Sequence, residues 1–584
     1  VMDFHTVKPL HFGEKGGIIG QATLRSGSAN FEKTGHLHLN YGKKAWSGIT
    51  SYTFSDFDDQ AMGLEGPTEY LRRKYVEAGS DSDRLVINPD ATIQKFTGYH
   101  QHNFIQKVRF AKNKWDINYG FHYSTTSDVP RYDRLIEPDG SGGLRNAEWY
   151  YGPQEWMMHN LRMKRDSGNV IYDQFVITAA YQRFKESRHS RRFNRHWLRE
   201  QFEQVDVLNF NADFTKDLWG NTDIFYGAEI VTNSIGSRAT ETDIRGNGGV
   251  ADAQTRYPDG ASWNSLAFYT SVNHRFNDKF SWQLGGRYQH HVMRASFDTT
   301  FIPLPFTDAE LSNGALTGSA GFVYMPDSTW RISLNGATAF RAPNVDDLGK
   351  VFDSEPGNLI VPNAEIKPEY AYNGDVSISK VFGDLVKVEA TGFYTYLTNA
   401  LVRRDFSLNG EDSVLFDGEM SNVQGIQNAS QAYVYGFQGG IDIDLPFDIG
   451  VSSHFNWQRG YEVDSENDTL VPLRHAGPWF GVSRIYWQRS NVRIELNAQY
   501  AGTVRADEMA PSEISKDYLY AIDENGDPYS PGWYTLNLKA SWRLNRYLMM
   551  LGGVENITNR RYRTYSSGIA APGTHVYASL KVTF

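Results

Sequence analysis

The chain has 584 residues, a formal net charge of −10 and a mean hydropathy of −0.51. No stretch approaches the ~18 consecutive apolar residues of a membrane-spanning helix, so a helical membrane protein is excluded. The 34 Phe, 34 Tyr and 14 Trp exclude a disordered chain. The negative charge argues against nucleic-acid binding, and the absence of cysteine excludes disulfide scaffolds, thiol enzymes and cysteine-ligated metals.

The N-terminal segment, residues 1–17, shows no strand-like alternation, which begins near Ile18. It begins with Val1 rather than Met and has no basic stretch followed by an apolar one, as a signal peptide would. We therefore expect the sequence to begin partway through a longer precursor.

Two classes of connection alternate along the rest of the chain. Ten short segments are rich in Gly, Asn, Asp or Pro, which favour tight hairpin turns. They are 41–45, 112–114, 166–169, 217–221, 277–279, 326–328, 383–384, 446–448, 490–491 and 545–546. Longer segments lie between them, among them 57–100, 125–155, 232–263, 341–369, 401–432 and 504–531. Membrane barrels have this asymmetry of short periplasmic turns and long extracellular loops.

Between the connections, apolar and polar residues alternate with a period of two, the pattern of a strand with two different faces. The pattern is clearest in 437–445, 492–500, 534–542 and 575–584. These stretches of roughly ten residues are longer than the ~5–6 residues usual in soluble sheets. They favour a membrane barrel over the alternative, a soluble β-sandwich or β-solenoid with one solvated face.

The fold class that follows is all-β, a single 22-stranded antiparallel transmembrane β-barrel over residues 18–584, because ten turns and eleven loops separate 22 strands. A barrel of this size does not fill its lumen with its own side chains and holds a plug. Since strands occupy the chain from near residue 18, we expect the N-terminal plug domain to be absent from this chain and to precede it.

Five segments resemble TonB-dependent outer-membrane receptors of the haem and siderophore branch, in a form similar to those of Bacteroidetes. Residues 1–6 resemble the last strand of the plug, and 340–343 (FRAP) with 362–369 resemble the paired FRAP and NPNLKPE boxes. Residues 554–562 resemble the segment before the last strand, and Phe584 resembles the terminal residue of the assembly signal. The resemblance implies that 1–17 are the end of the plug and its junction with the barrel.

The resemblance also implies a function and a location. It implies TonB-dependent active import of a scarce, bulky ligand, a ferric siderophore or haem, across the outer membrane of a Gram-negative bacterium. Expected partners are the inner-membrane TonB complex through the plug, outer-membrane lipid and lipopolysaccharide, and a surface lipoprotein over the loops. The alternatives are a cobalamin (corrin) importer, and a plugless passive channel or structural barrel in a larger outer-membrane complex.

An enzyme is not expected, because the sequence contains no G-x-S-x-G, H-E-x-x-H or phosphate-binding G-x-x-x-x-G-K-[ST] motif. No cofactor or metal site is predicted either. The acidic segments 56–59 and 523–527 lack the full ligand spacing of a calcium loop.

The first candidate ligand contact, here called the aromatic cluster, combines aromatic rings and guanidinium groups. Its members are Arg131, Tyr132, Arg134, Trp149, Tyr150, Tyr151 and Trp156. Such groups suit a flat anionic ligand such as a porphyrin, a corrin or a catecholate chelate. The alternative is a loop that packs its own aromatic rings over the barrel mouth.

The second candidate, here called the basic cluster, is a predicted loop over residues 183–199. Its proposed contacts are Arg188, His189, Arg192, Arg195 and His196. In a chain of net charge −10 this local positive charge could steer carboxylates or a ferric chelate. The alternatives are binding to lipopolysaccharide phosphates and simple solvation.

The third candidate is Arg341 of the FRAP box. In the haem receptors that this sequence resembles, a His between the two boxes takes part in haem binding, but residues 344–361 contain no His. This difference weakens the haem interpretation, although His189, His196 or a residue of the plug could replace it. The alternative is that the boxes are structural and shape a loop at a strand end.

Overall fold

The structure is a computed structural model that describes residues 6–246, 248–355, 357–416, 419–428, 431–464, 469–474 and 476–584. Most of the segment predicted to resemble the last plug strand therefore lies outside the described residues.

Twenty-two long strands form one antiparallel sheet in which each strand pairs with the next along the chain. They are β1 (Gly17–Gly27), β2 (Lys33–Lys43), β3 (Trp46–Phe57), β4 (Tyr99–Lys112), β5 (Trp115–Thr126), β6 (Glu155–Asp166), β7 (Gln174–Arg192), β8 (Trp197–Leu218), β9 (Thr222–Asp243), β10 (Ser262–Arg275), β11 (Phe280–Ser296), β12 (Asp308–Tyr324), β13 (Trp330–Arg341), β14 (Glu369–Phe382), β15 (Val386–Thr398), β16 (Gln431–Leu445), β17 (Ile449–Asp464), β18 (Phe480–Arg489), β19 (Val492–Ala501), β20 (Trp533–Arg543), β21 (Leu548–Glu555) and β22 (His575–Thr583). Because β22 pairs with β1, the sheet closes into a barrel. The predicted 22-stranded barrel is confirmed, and its first strand begins at Gly17.

The connections follow the predicted asymmetry, with ten short turns at one end of the barrel and eleven loops at the other. Several turns have only two residues, and their backbone shows why the sequence turns there. Lys44, Asn113 and Ser490 adopt left-handed φ angles of 56°, 57° and 51°. Tight hairpin turns require such angles to match the twist of the flanking strands.

The outer surface of the barrel is apolar, as the alternating pattern predicts. On β19, Ile494 and Leu496 are exposed, whereas Asn497 on the opposite face of the strand is buried. Aromatic side chains lie beside the short turns, including Trp46, Trp115, Trp330 and Trp542. An exposed apolar belt bordered by aromatic residues is the surface that a barrel presents to lipid.

Residues 6–10 run along the polar inner wall near the turn end of the barrel. The Arg109 side chain donates to the Pro9 carbonyl at 2.9 Å, and the Leu10 amide donates to Asn40 at 3.1 Å. Lys107 donates to the Val7 carbonyl at 2.8 Å. The chain therefore enters β1 from inside the lumen.

The loops carry short elements of their own. The helices are α1 (Tyr132–Leu135), α2 (Val345–Gly349) and α3 (Pro511–Ile514), with 3-10 turns at Thr68–Tyr70, Ala506–Glu508 and Asp517–Leu519. A separate loop sheet contains Phe352–Glu355, Asn358–Val361, Leu401–Asp405, Ser413–Phe416 and Glu419–Asn428. Three two-stranded ribbons pair Gln60–Ala61 with Ile93–Gln94, Lys74–Glu77 with Arg84–Ile87, and Ala521–Ile522 with Pro528–Tyr529. Four short strands extend the barrel sheet: Val129–Pro130, Asn146–Tyr151, Val250–Asp252 and Thr469–Pro472. Among the described residues, no helix has the length and apolar character of a membrane-spanning helix.

The loops have apolar cores above the barrel. Leu348 of α2 packs with Met293 and Ile366, and Leu359 packs with Val423. All five side chains are buried. Packing of this kind fixes the positions of the long connections relative to the barrel mouth.

One predicted loop is wrong. Residues 183–199, which contain the basic cluster, form the end of β7, a turn at 193–196 and the start of β8. Strands β7, β8 and β9 have 19, 22 and 22 residues, about twice the ~9–11 that span a bilayer. Their ends project beyond the membrane, where both faces are polar, so the alternation that marks a strand in the sequence is missing.

Candidate ligand-binding site

The aromatic cluster and the basic cluster lie side by side at the loop end of the barrel. The loop strand Asn146–Tyr151 pairs antiparallel with the projecting end of β7, with Trp149 opposite Ser190 and Tyr151 opposite Arg188. The pairing therefore builds one wall that carries residues of both predicted clusters.

A cavity of about 300 Å³, here called the arginine cavity, lies against this wall. Two tryptophan side chains and eight arginine side chains take part in its lining: Trp149, Trp197, Arg134, Arg145, Arg188, Arg191, Arg192, Arg195, Arg199 and Arg256. Five of the predicted contact residues, Arg134, Trp149, Arg188, Arg192 and Arg195, thus line one cavity. In the sequence these residues belong to two separate clusters.

Carboxylates hold several of these arginines in place. Arg188 pairs with Glu203 at 3.2 Å, and Arg199 pairs with Glu241 at 2.7 Å. Charge-assisted hydrogen bonds of this kind fix the plane of a guanidinium group. The cavity therefore presents oriented donors, and much of its positive charge is balanced by nearby acids.

Arg191 connects the hairpin to the long loop between β3 and β4. Its guanidinium bonds both carboxylate oxygens of Asp83 at 2.8 Å and lies 2.6 Å from Glu148. The side chains of Asp83 and Arg191 have 0% and 1% exposure. Burial raises the pKa of Asp83, but hydrogen bonds from Arg191 and from the amides of Asn194 and Gly79 outweigh it and hold the pKa below its ordinary value. No sequence pattern indicates this pair, since its partners are 108 residues apart.

Most rings of the aromatic cluster are in contact with arginines or with each other. The Arg131 guanidinium lies 4.8 Å from the centre of the Trp149 ring, and Arg188 lies 5.5 Å from that of Tyr151. Trp149 and Tyr151 also meet edge to face at 5.2 Å. These contacts match the alternative that the loop packs its own aromatic rings, while Trp149 still faces the cavity.

Tyr132 and Trp156 lie away from the arginine cavity. Tyr132 is 5% exposed and packs below the guanidinium of Arg72. Trp156 belongs to the barrel wall on β6, where its indole N–H donates to Gln182 at 3.2 Å. Both residues have structural contacts that the sequence pattern did not predict.

The two histidines of the basic cluster have different surroundings. His189 is buried and stacks on Tyr150 with ring centres 4.6 Å apart, and its Nδ1 lies 3.3 Å from Glu200. His196 lies in the turn of the hairpin, with its ring 5.4 Å from that of Trp197. His189 is thus enclosed by protein groups, and His196 is the more accessible of the two.

Arg341 does not line the arginine cavity. Its guanidinium bonds both oxygens of Asp347 at 2.8 Å and Glu369 at 2.7 Å. Asp347 in turn closes a capping box with Asn344 at the start of α2. The FRAP box therefore connects the end of β13 to a loop helix. This agrees with the alternative prediction that the boxes are structural and shape a loop at a strand end.

A second and larger cavity, of about 1030 Å³, lies in the lumen against strands β13 to β20. Polar and glycine residues contribute to its lining, among them Lys387, Glu389, Gln438, His454 and Arg484. Within the described part of the chain, no group of three or more His, Asp or Glu side chains could hold a metal ion.

A closed barrel of 22 strands, with short turns at one end and long loops around a polar mouth at the other, is the architecture of large outer-membrane transport proteins. The chain belongs to the family described as TonB dependent receptor-like, beta-barrel, whose family model matches residues 40–557. The predicted family is confirmed, and it consists of receptors and transporters of the outer membrane.

Solved structures show the same fold at low sequence identity. The copper transporter OprC is 13% identical with a TM-score of 0.76, covering 99% of this chain and 84% of its own. The FrpB iron transporter from Neisseria meningitidis (F3-3 variant) is 12% identical with a TM-score of 0.70, covering 97% and 81%. The ferric yersiniabactin uptake receptor FyuA from Yersinia pestis is 16% identical with a TM-score of 0.67, covering 99% and 81%. No curated protein matches the chain by sequence.

Proposed function

We propose that the protein imports a ferric siderophore across the outer membrane with energy supplied through TonB, and that the arginine cavity contacts the ligand on its way in. The observation that carries this proposal is the cavity itself, where eight arginines and two tryptophans converge in a chain of net charge −10. Guanidinium edges and indole faces complement an anionic chelate with aromatic or carboxylate groups.

The surroundings of the histidines favour a ferric siderophore over haem. Haem iron is commonly held by an imidazole. His189 is already engaged by Tyr150 and Glu200, and residues 344–361 contain no His. Haem remains the second candidate because His196 lies at the hairpin turn beside Trp197.

The structural neighbours support import of a metal or its chelate. Their titles describe a copper transporter, an iron transporter and a ferric yersiniabactin uptake receptor. We extend this class of cargo to the present chain on the strength of the shared fold and family. We also propose that residues 6–17 form the junction with a plug, because residues 6–10 follow the inner wall.

The ligand is tested by titrating the purified protein with ferric enterobactin (a ferric catecholate), haemin and cyanocobalamin while tryptophan fluorescence is recorded. We expect saturable quenching by the ferric catecholate. Replacing Arg195 with Ala removes one cavity-lining cation and is expected to weaken binding about tenfold, since a charge-assisted hydrogen bond contributes roughly 1.5–3 kcal/mol. Arg84→Ala is the control, because Arg84 is exposed and pairs with Glu77 outside the cavity.

Two results would count against this proposal. Binding of haemin or cyanocobalamin, but not of the ferric catecholate, would replace the proposed ligand. Equal affinity of the wild type and Arg195→Ala would show that the arginine cavity does not contact the ligand.

A further inference from the structure

Two arginines lie buried at the junction of four extracellular loops. Arg72 comes from the loop after β3, and Arg563 comes from the loop after β21. Each is only 4% exposed. Among the described residues, no carboxylate lies within ion-pair distance of either guanidinium. The charge of Asp59 acts on Arg72 from beyond that distance, but Asp59 is itself paired with Lys95 at 3.3 Å. Arg563 lies 4.5 Å from the centre of the Tyr70 ring. A buried cation that is not directly paired with an anion is disfavoured, so these two arginines require an explanation.

Backbone carbonyls accept hydrogen bonds from only some of the N–H groups of each guanidinium. Arg72 donates to the Leu135 carbonyl at 2.9 Å, and Arg563 donates to the Leu519 carbonyl at 2.9 Å. The Nε atoms of both arginines are buried, and neither has a hydrogen-bond acceptor within the described structure. Two N–H donors are thus left without partners in a place where such donors are costly.

Tyr132 supplies a third donor at the same place. Its hydroxyl is also buried without a partner among the described residues, and the Arg72 guanidinium lies 5.5 Å from the centre of its ring. Burial raises the pKa of Tyr132, while Arg72 and Arg563 both oppose the rise. The phenol therefore stays protonated, and it lies close enough to both guanidinium groups for their positive charge to act on it.

We propose that Arg72, Tyr132 and Arg563 bind a small inorganic anion of the chloride type at this four-loop junction. All three unpartnered groups can donate a hydrogen bond, and two carry a positive charge. An anion accepts from all three and compensates that charge, which a cation or a neutral acceptor does not do. The burial of all three side chains favours a monatomic ion over the carboxylate of a large transported ligand. This site is separate from the arginine cavity and does not depend on the proposed function.

The bound anion would link loops that are remote in sequence. Arg72, the α1 helix with Tyr132, the Leu519 carbonyl and Arg563 belong to four different connections between barrel strands. A ligand that binds only the folded arrangement stabilises it in proportion to its concentration. Chloride is therefore expected to hold these loops together over the barrel mouth.

The direct test is a crystal of the full chain grown in sodium bromide, with anomalous diffraction measured at the bromine edge. We expect a bromide peak within hydrogen-bonding reach of both Nε atoms and the Tyr132 hydroxyl. Tyr132→Phe keeps the ring but removes the O–H donor, and it should lower the bromide occupancy. Arg563→Met should abolish the peak, whereas Arg73→Met, which changes an exposed neighbour of Arg72, should leave it unchanged.

A second measurement needs no variant. Hydrogen exchange of the amides in α1 and in residues 517–520 is compared in sodium chloride and in sodium gluconate of equal ionic strength. We expect exchange to be slower in chloride, by roughly tenfold when chloride is at ten times its dissociation constant. The absence of an anomalous peak together with equal exchange in the two salts would overturn the proposal.

Discussion

At the scale of single residues, Asp83 and Arg191 show how one buried pair fixes a long loop. Solvent is excluded from both side chains, and Asp83 also accepts a hydrogen bond from the Asn194 amide at 2.7 Å. Removing one partner of such a pair leaves the other charge buried and without that counter-charge. The pair therefore holds the loop after β3 against the β7–β8 hairpin.

Asp83→Ala is expected to loosen this contact by about 3 kcal/mol, because it breaks a buried bidentate ion pair and leaves Arg191 to the partly exposed Glu148. Hydrogen exchange of the Asn194 amide measures the effect, and its opening should become roughly a hundredfold more frequent. Arg84→Ala is the matched control, since its exposed pair with Glu77 contributes little to stability. Equal exchange in the Asp83→Ala variant and the wild type would contradict this role.

The surroundings of Glu513 predict that the stability of the loop between β19 and β20 depends on pH. Burial raises its pKa, but the hydrogen bond from Tyr520 at 2.5 Å and the charge of Arg474 at 2.7 Å outweigh burial and hold the pKa below its ordinary value. The contribution of Glu513 to the stability of this loop is therefore complete above the pKa of about 4.3 that a glutamate has in the unfolded chain. It is lost as the pH falls through the lower pKa of Glu513 in the folded protein.

Hydrogen exchange of the amides in α3 measured between pH 5 and pH 3, after correction for intrinsic rates, tests this prediction. The wild-type loop should open more often as the pH falls in this range. Glu513→Gln should remove that dependence, while Glu524→Gln, which alters an exposed acid of the same loop, should keep it. A wild-type loop whose opening does not change with pH would refute the assignment.

At the scale of elements, the β7–β8 hairpin and the strand Asn146–Tyr151 form the wall of the arginine cavity. Gly152 follows that strand and donates its amide to the Ser187 carbonyl at 3.0 Å. A Cβ atom at Gly152 would lie 2.2 Å from the Ser187 hydroxyl and 3.0 Å from the His189 ring. A larger residue at this position would therefore have to displace the Ser187 side chain and press on the His189 ring.

Gly152→Val is expected to push the strand away from β7 and to weaken ligand binding at the cavity, because the branched side chain would overlap Ser187 and crowd the His189 ring. The measurement is hydrogen exchange of the amides of residues 146–151, which should become faster. Gly477→Val is the control, since nothing lies within 4 Å of a Cβ atom there and its φ is not left-handed. Unchanged exchange at 146–151 would show that the wall tolerates the added volume.

The sequence predicts elements well where lipid faces one side of a strand. The ten turns and the strands of 437–445, 492–500 and 534–542 were all predictable, because an apolar outer face and a polar inner face impose a period of two. The upper part of β7 was not, since both of its faces meet polar loops. The local charge of its arginines could be predicted, but their convergence with Arg134 and Trp149 depends on strand pairing between distant segments.

At the scale of the whole molecule, closure of the sheet determines the rest of the structure. The terminal strand β22 pairs with β1, and Phe584 continues this pairing through two backbone hydrogen bonds with Gly20, of 2.7 and 2.9 Å. Closure leaves no strand edge exposed to lipid, where unpaired backbone groups are not tolerated. The eleven loops then emerge at one end, where several of them build the arginine cavity and the four-loop junction.

Energised import by the whole molecule is tested most directly by uptake of iron-55 bound to a catecholate siderophore into iron-starved cells that produce the native protein. The account predicts saturable uptake that disappears in cells lacking TonB or treated with a protonophore, and that falls when Arg195 is replaced by Ala. Uptake that persists unchanged without TonB and rises linearly with ligand concentration would contradict it and would identify a passive channel.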